Sequence, residues 1–420
     1  MFSFFYKIFR PLNILIFIAL HSNYAQDPKL EKLSFDVDKL INESIADSAF
    51  PGAQLYVKFK DQVWIKKSFG FQTYDSIVKI RNHHIYDLAS LTKVLSSTIA
   101  LMKIYEDYDL NLKTPISKYL PELKRSNKSS TTFYEVLSHT AGWIPYINHQ
   151  KRLLKKNSTL KNRLVKNNRS KRFNIKIADS LFLNEKFHKK IFKYIKKSEL
   201  KESGNYLYSG LFFFYVPKLI KLFTNQTYSE YLNENFYNLI ENNTLTFSPK
   251  NKLTISPTEY DSSFRKKLIH GTVHDEASSL FGGLSGNAGL FGSAESIGKL
   301  IENFEVWNSD RSNKILMDST IKKFTSYAYS DNDIRRGLGF DKPSRNNEKI
   351  YPNENFSSQS FGHTGFTGTF FWIDPKAKIT IVFLTNRVYP SREFEKLYDN
   401  NVRSRLIDII FNHLKDYKYE

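Results

Sequence analysis

The stretch IYDLASLTKVLSSTIALMKIYEDYDLNLKTPISKYLPEL, residues 85–123, changes character at Ser90. After that serine, Val94, Leu95, Thr98, Leu101, Met102 and Tyr105 recur at intervals of three and four, the spacing of a helix. The pattern predicts a helix from Ser90 to about Tyr108, followed by a loop punctuated by Pro115 and Pro121. Its head reads Ser90-Leu91-Thr92-Lys93. Residues at i and i+3 share one helix face, so the hydroxyl and the amine are neighbours. The N–H groups and dipole of a helix start favour negative charge beside the serine. A lysine with an ordinary pKa of about 10.4 is a poor base at neutral pH. An apolar wall of Val94 and Leu95 disfavours its charged form and lets it accept the serine proton. The same Ser-x-x-Lys spacing occurs at Ser76, Ser158, Ser198, Ser263, Ser296 and Ser319. Only at Ser90 does it open a long apolar-periodic helix after a strand-rich segment, in an otherwise neutral turn.

Working outward, residues 52–70 (GAQLYVKFKDQVWIKKSFG) form short β-rich runs around Lys60-Asp61, which predicts a hairpin. Strand patterns return at 359–364, 367–374 and 378–386, and a helical pattern runs from about Glu393 to Lys415. Between these ends, about 125 to 330 reads as helix and loop, including a glycine-rich segment, FGGLSGNAGLFG, at 281–292. The layout predicts an α/β (α+β) fold: an antiparallel sheet flanked by helices, built from both chain ends, with a largely α-helical region inserted at about 90–330. There is no internal repeat of solenoid or propeller period.

Composition narrows the chemistry. The 420 residues include 41% hydrophobic and 15% aromatic side chains, enough for a large core. A mean hydropathy of −0.44 argues against a multi-span membrane protein. With no cysteine, disulfides, thiolate-bound metals and thiol nucleophiles are excluded. The first 25 residues read as an export signal, with Lys7 and Arg10 preceding an apolar run from Leu12 to Leu20 and a small residue, Ala25, before a cut at Gln26. The expected mature chain, 26–420, is one domain outside the cytoplasm, periplasmic or secreted, with no lipobox cysteine and no transmembrane anchor after cleavage. The net charge is +20, and residues 151–200 hold 17 Lys and Arg against three acids. Up to about Lys176 the cations mix with Asn and Ser. From Ile177 to Ile195 they mix with apolar residues at helix-like intervals, which predicts a helical face preceded by a loop.

The motifs together resemble the serine β-lactamase and penicillin-binding-protein superfamily, in its class C β-lactamase-like branch with D-aminopeptidases, D,D-carboxypeptidases and esterases. Beside residues 85–123, the resemblance rests on FPGAQLYV (50–57), VLSHTAGW (136–143), LYSG (207–210), GGLSGNAGLFG (282–292) and FGHTGFTGTFFWIDP (361–375), in that order. It implies that Ser90 is the acylated nucleophile, Lys93 its activating partner and Tyr208 the proton shuttle to the leaving group. His363-Thr364-Gly365 corresponds to the family's Lys-Thr-Gly, and the amides of Ser90 and Phe366 would form the oxyanion hole. Two departures stand out. Gly210 occupies the place of a polar residue that orients Lys93 and substrate, which keeps open a weakened or inactive cell-wall-peptide-binding pseudoenzyme. Asn205 or a water is the candidate substitute, and a Gly210→Asn variant is expected to be faster. His363 in place of lysine makes a weaker partner for a substrate carboxylate.

His139 reads as structural, satisfying backbone groups at a turn. His274-Asp275-Glu276 does not have a metal-ligand pattern, and no metal or other cofactor is expected. The glycine-rich segment reads as a tight loop flanking the cleft. The expected substrate is a small peptide, ester or β-lactam-like molecule. The basic segment 151–200 is a candidate contact with peptidoglycan or an anionic envelope surface, and nucleic acid is not an expected partner because no recognition motif accompanies the charge.

Overall fold

In a computed structural model, residues 28–307, 314–330, 333–346 and 349–415 are described, and the expected export signal at 1–25 lies outside them. Strands Gly52–Phe59 and Gln62–Gly70 form the expected hairpin, with Lys60 left-handed at φ 51° in the turn and a bulge at Val57/Lys58. The first of these strands pairs antiparallel with Ile379–Thr385, in the register Ala53 opposite Thr385. Strand Phe370–Asp374 follows, and Phe361–Thr364 forms the edge. The sheet therefore joins both ends of the chain.

Strands Gly52–Phe59 and Ile379–Thr385 are buried at every position. Burial on both faces explains why KITIVFLTN is continuously apolar where a half-exposed strand would alternate. On one face, helices Pro28–Ala46 and Val402–Lys415 bury Leu33, Val37, Leu406 and Ile410 in a core shared with Leu55, Ile381 and Phe383. Helix Ala294–Ile301 packs on the other face, where Tyr56, Ile297 and Leu300 join the larger core of the inserted region.

The helix after Ser90 is the axis of that larger core. Its first part, Lys93–Thr98, is π-helical and fully buried, and Ile99–Asp107 continues it as α-helix. A π-helical turn interrupts the regular ladder and is frequent at functional sites.

The inserted region departs from the expected helix and loop. Residues Val165–Lys166, Phe173–Ala178 and Leu181–Asn184 form a three-stranded antiparallel sheet, and the helix begins only at Phe187, running to Lys197. The physical reason is a period of two in FNIKIA, where Ile175 and Ile177 turn inward and Asn174 and Lys176 outward, closed by a turn with Ser180 at φ 53°.

One side chain couples core to site. Trp372 is fully buried, stacks on Phe370, contacts Phe356 and Tyr351, and donates its indole N–H to Ser360 Oγ at 2.9 Å. A Cβ at Gly362 would run into its ring, so the glycine lets the edge strand lie against the indole. Trp372→Ala is expected to cost about 3–5 kcal/mol in urea unfolding and to loosen the Phe361–Thr364 strand, seen as faster amide exchange at Gly362 and His363.

Candidate active site

Ser90 follows a short strand, Tyr86–Asp87, and a left-handed residue, Ala89, at φ 47°. A non-glycine residue there costs about 1–2 kcal/mol, so the surroundings must hold it. The buried Asp87 carboxylate accepts from Ala89 N–H at 2.9 Å and from His274 N–H at 2.6 Å. Thr367 Oγ1 donates to the Asp87 carbonyl at 2.7 Å, and Thr369 Oγ1 to the Leu88 carbonyl at 3.1 Å. A Cβ at Gly365 would lie 2.7 Å from the Leu88 carbonyl oxygen, so only glycine allows this approach of the 365–369 turn.

Lys93 is 3% exposed, and its Nζ donates to Ser90 Oγ at 2.9 Å and to the Asn287 carbonyl at 3.0 Å. It faces the rings of Tyr208 and Phe213 at 5.3 and 5.8 Å and has no carboxylate partner among the described residues. The glycine-rich loop is stitched to the Ser90 helix: Ser97 Oγ donates to the Gly286 carbonyl, and Leu290 N–H donates to Thr92 Oγ1. That loop forms one wall of the cleft.

Tyr208 lies on the opposite wall. Its segment rests on His139, whose carbonyl accepts from Leu207 N–H at 2.8 Å and whose Nδ1 accepts from Ser209 N–H at 3.2 Å, with the imidazole 4.5 Å from the Tyr208 ring. The Tyr208 hydroxyl is buried with no hydrogen-bond partner among the described residues. Ser90 and Phe366 sit where three lobes of one open cleft meet, of about 380, 200 and 350 Å³. Lys93 and Tyr208 line the middle lobe; His363, Thr364 and Gly365 line the third with Arg335 and Arg336. The amide N–H groups of Ser90 and Phe366 find no acceptor among the described residues.

His363 is buried, and Nδ1 lies 2.7 Å from the Thr364 carbonyl, which makes Nδ1 the protonated nitrogen and leaves Nε2 as an unpaired acceptor. Burial pushes this imidazole down to about 4, with Asp341 opposing and Arg336 and Lys93 adding to the shift. Burial and the charge of Arg336 also hold His139 well below its ordinary value.

Several neighbours escape a reading of the sequence alone. Arg336 and Asp341 form a buried ion pair under the third lobe. Glu259 receives Arg392 Nε at 2.8 Å, and Arg392 Nη2 reaches Glu276 Oε1 at 2.7 Å, bracing the first lobe. Asn205 does not substitute at the site; it is exposed, with Nδ2 3.5 Å from Glu202 Oε2. At Gly210 a Cβ would overlap Asn287 Oδ1, so an asparagine there requires the Asn287 side chain to move. The one sequence signal for Asn287 is a lone amide inside a run of small residues.

A family model described as Beta-lactamase matches residues 37–403. The chain belongs to the Beta-lactamase family. As a member it is a serine hydrolase. It is 26% identical over 397 residues to an Escherichia coli (strain K12) protein named "Putative D-alanyl-D-alanine carboxypeptidase", covering 85% of this chain and 84% of that one. A penicillin-binding protein homolog from Caulobacter crescentus superposes with a TM-score of 0.65 at 14% identity, covering 92% of this chain and 98% of that one. A class C beta lactamase gives 0.64 at 14% identity, over 92% and 99%. These structural likenesses agree with the mixed antiparallel fold. Among the described residues no helix is long and apolar enough to cross a membrane.

The neutral histidines of this hydrolase set a pH dependence. A folded-state pKa below the unfolded 6.5 means that the unfolded chain binds more protons between about pH 4 and 6.5. The stabilisation is therefore complete above 6.5 and lost as pH falls toward 4, by up to about 1.4 kcal/mol per unit for each histidine. The urea midpoint is expected to fall between pH 7.5 and 5, with a shallower fall in His363→Gln; equal slopes would mean that His363 does not contribute.

Proposed function

We propose that this chain is an extracytoplasmic hydrolase of peptide-like amides or esters that works through an acyl-enzyme on Ser90. The observation that carries it is the 2.9 Å contact between Lys93 Nζ and Ser90 Oγ, held in a buried pocket open to the cleft. In this reading Lys93 takes the Ser90 proton as Oγ attacks the substrate carbonyl carbon. The carbonyl oxygen becomes an oxyanion held by the unpaired N–H groups of Ser90 and Phe366. Collapse breaks the bond to the leaving amine or alcohol, which takes a proton from Tyr208, and the Ser90 ester remains. Water then adds to the ester carbonyl by the reverse route, freeing the acid and restoring the Ser90 hydroxyl.

His363, Thr364 and Gly365 line the substrate side of the cleft. A neutral His363 is a weaker partner than lysine for a substrate carboxylate, which disfavours efficient β-lactam turnover; the type of activity proposed is that of a D-aminopeptidase, D,D-carboxypeptidase or esterase. The name of the E. coli relative favours a D-alanyl-peptide among these. The proposed domain organisation is an export signal at 1–25 and one hydrolase domain at 26–420, with the insertion at about 90–330. The basic segment 151–200 adds a contact for peptidoglycan or an anionic envelope surface, a contact that salt would weaken.

Intact-mass spectrometry after incubation with a fluorophosphonate, a penicillin and p-nitrophenyl acetate tests the reading. One adduct, mapped to Ser90, is expected. Ser90→Ala should abolish turnover with an unchanged melting temperature, and Lys93→Ala or Tyr208→Phe should each slow it by about 10²-fold or more. Substantial turnover by folded Ser90→Ala would sink the assignment, and no adduct from any reagent would favour a peptide-binding pseudoenzyme.

A further inference from the structure

We propose that Asn287 supplies the polar side chain missing at Gly210, so that the carboxamide beside the reacting pair comes from the glycine-rich loop and not from the Tyr208 segment. The inference rests on the reading of Ser90 and Lys93 as that pair.

Gly210 does not have a left-handed φ, so its backbone accepts an ordinary side chain. What fills the space a side chain would take there is the Asn287 carboxamide. The three atoms nearest a Cβ built at Gly210 are all in the Asn287 carboxamide: Oδ1, which it would overlap, Cγ at 3.0 Å and Nδ2 at 3.5 Å. The two residues therefore compete for one volume, and this sequence fills it from position 287. Asn287 Oδ1 is buried and has no hydrogen-bond partner among the described residues. Such an atom is normally satisfied, so its partner is to be sought in what enters the cleft.

The side chain is also well placed. Asn287 lines two of the three lobes together with Ser90, and its own carbonyl holds Lys93 Nζ at 3.0 Å. Its backbone is fixed by Asn287 N–H to Ser285 Oγ at 3.2 Å and by the neighbouring bond from Ser97 Oγ to the Gly286 carbonyl at 2.9 Å. Asn287 thus positions Lys93 through its main chain and offers an amide to substrate through its side chain. A carboxamide has a donor and an acceptor, the complement of a peptide group. The preferred acyl donors are those with an amide next to the scissile carbonyl.

The test is a swap. Acylation of Ser90 by N-acetyl-D-alanine p-nitrophenyl ester and by p-nitrophenyl acetate is measured for the unaltered protein, Asn287→Ala, Gly210→Asn and the double variant, each with a thermal melt. Asn287→Ala keeps the carbonyl that holds Lys93, so it should lose about tenfold on the amide-bearing ester and little on the acetate. Gly210→Asn alone should be slower on the amide-bearing ester, because two carboxamides then crowd one volume. In the double variant the obstructing atoms are gone, and the rate on the amide-bearing ester should recover to within a few-fold of the unaltered protein. If Asn287→Ala does not fold, Asn287→Ser takes its place. Equal losses on both esters, or a double variant no faster than its slower parent, would overturn the inference while Ser90 labelling stands. No Ser90 adduct in the unaltered protein would overturn both readings.

Discussion

The buried carboxylate of Asp87 is the constraint on which the cleft depends. Burial pushes its pKa up, so water-free surroundings oppose the charge that its two N–H partners, Ala89 and His274, hold in place. Hydrogen bonds to a charged group contribute about 1.5–3 kcal/mol each, comparable with the cost of the left-handed Ala89. Removing this carboxylate would leave the turn before Ser90 unsupported and separate it from the loop that carries His274. The same turn receives the Thr367 and Thr369 hydroxyls, which bring Phe366 to Ser90. The carboxylate and the main chain of this turn thus register the segments of His274 and Phe366 against Ser90.

The cleft so assembled is rich in unspent polar groups. The Tyr208 hydroxyl, His363 Nε2, Asn287 Oδ1 and the amides of Ser90 and Phe366 belong to residues that line it and have no partners among the described residues. Each is a local cost to folding, tolerated because the surrounding core is large and fixes their geometry. Donors and acceptors oriented in advance need no reorganisation when a substrate meets them.

Much of this was legible in the sequence, for identifiable reasons. Ser90 and Lys93 are three residues apart on one helix, so local periodicity brought them together. The central strands showed as unbroken apolar runs because both of their faces are buried. The sheet at 165–184 was hidden because its strands are short and set in a dense run of lysines and arginines, where Ile175 and Ile177 look like part of the helix that starts at Phe187. Asn287 was hidden for a different reason: its place beside Lys93 depends on bonds to Thr92 and Ser97, far away along the chain, which no local pattern encodes. Asp341 was likewise invisible without its partner Arg336.

The pairing of Gly52–Phe59 with Ile379–Thr385 has a kinetic side. Of the sheet's strands Gly52–Phe59 is made first, and its partner, the central strand Ile379–Thr385, is made last. At about 5–20 residues per second, the wait is on the order of 20–60 s. Through that time the first hairpin exposes Leu55, Val57 and Phe59 and an unfilled strand edge, and a two-stranded ribbon is marginally stable alone. High contact order of this kind slows folding and favours edge-to-edge aggregation. Loss of the segment from Ile379 onward would remove both the sheet's central strand and a helix that covers it at once.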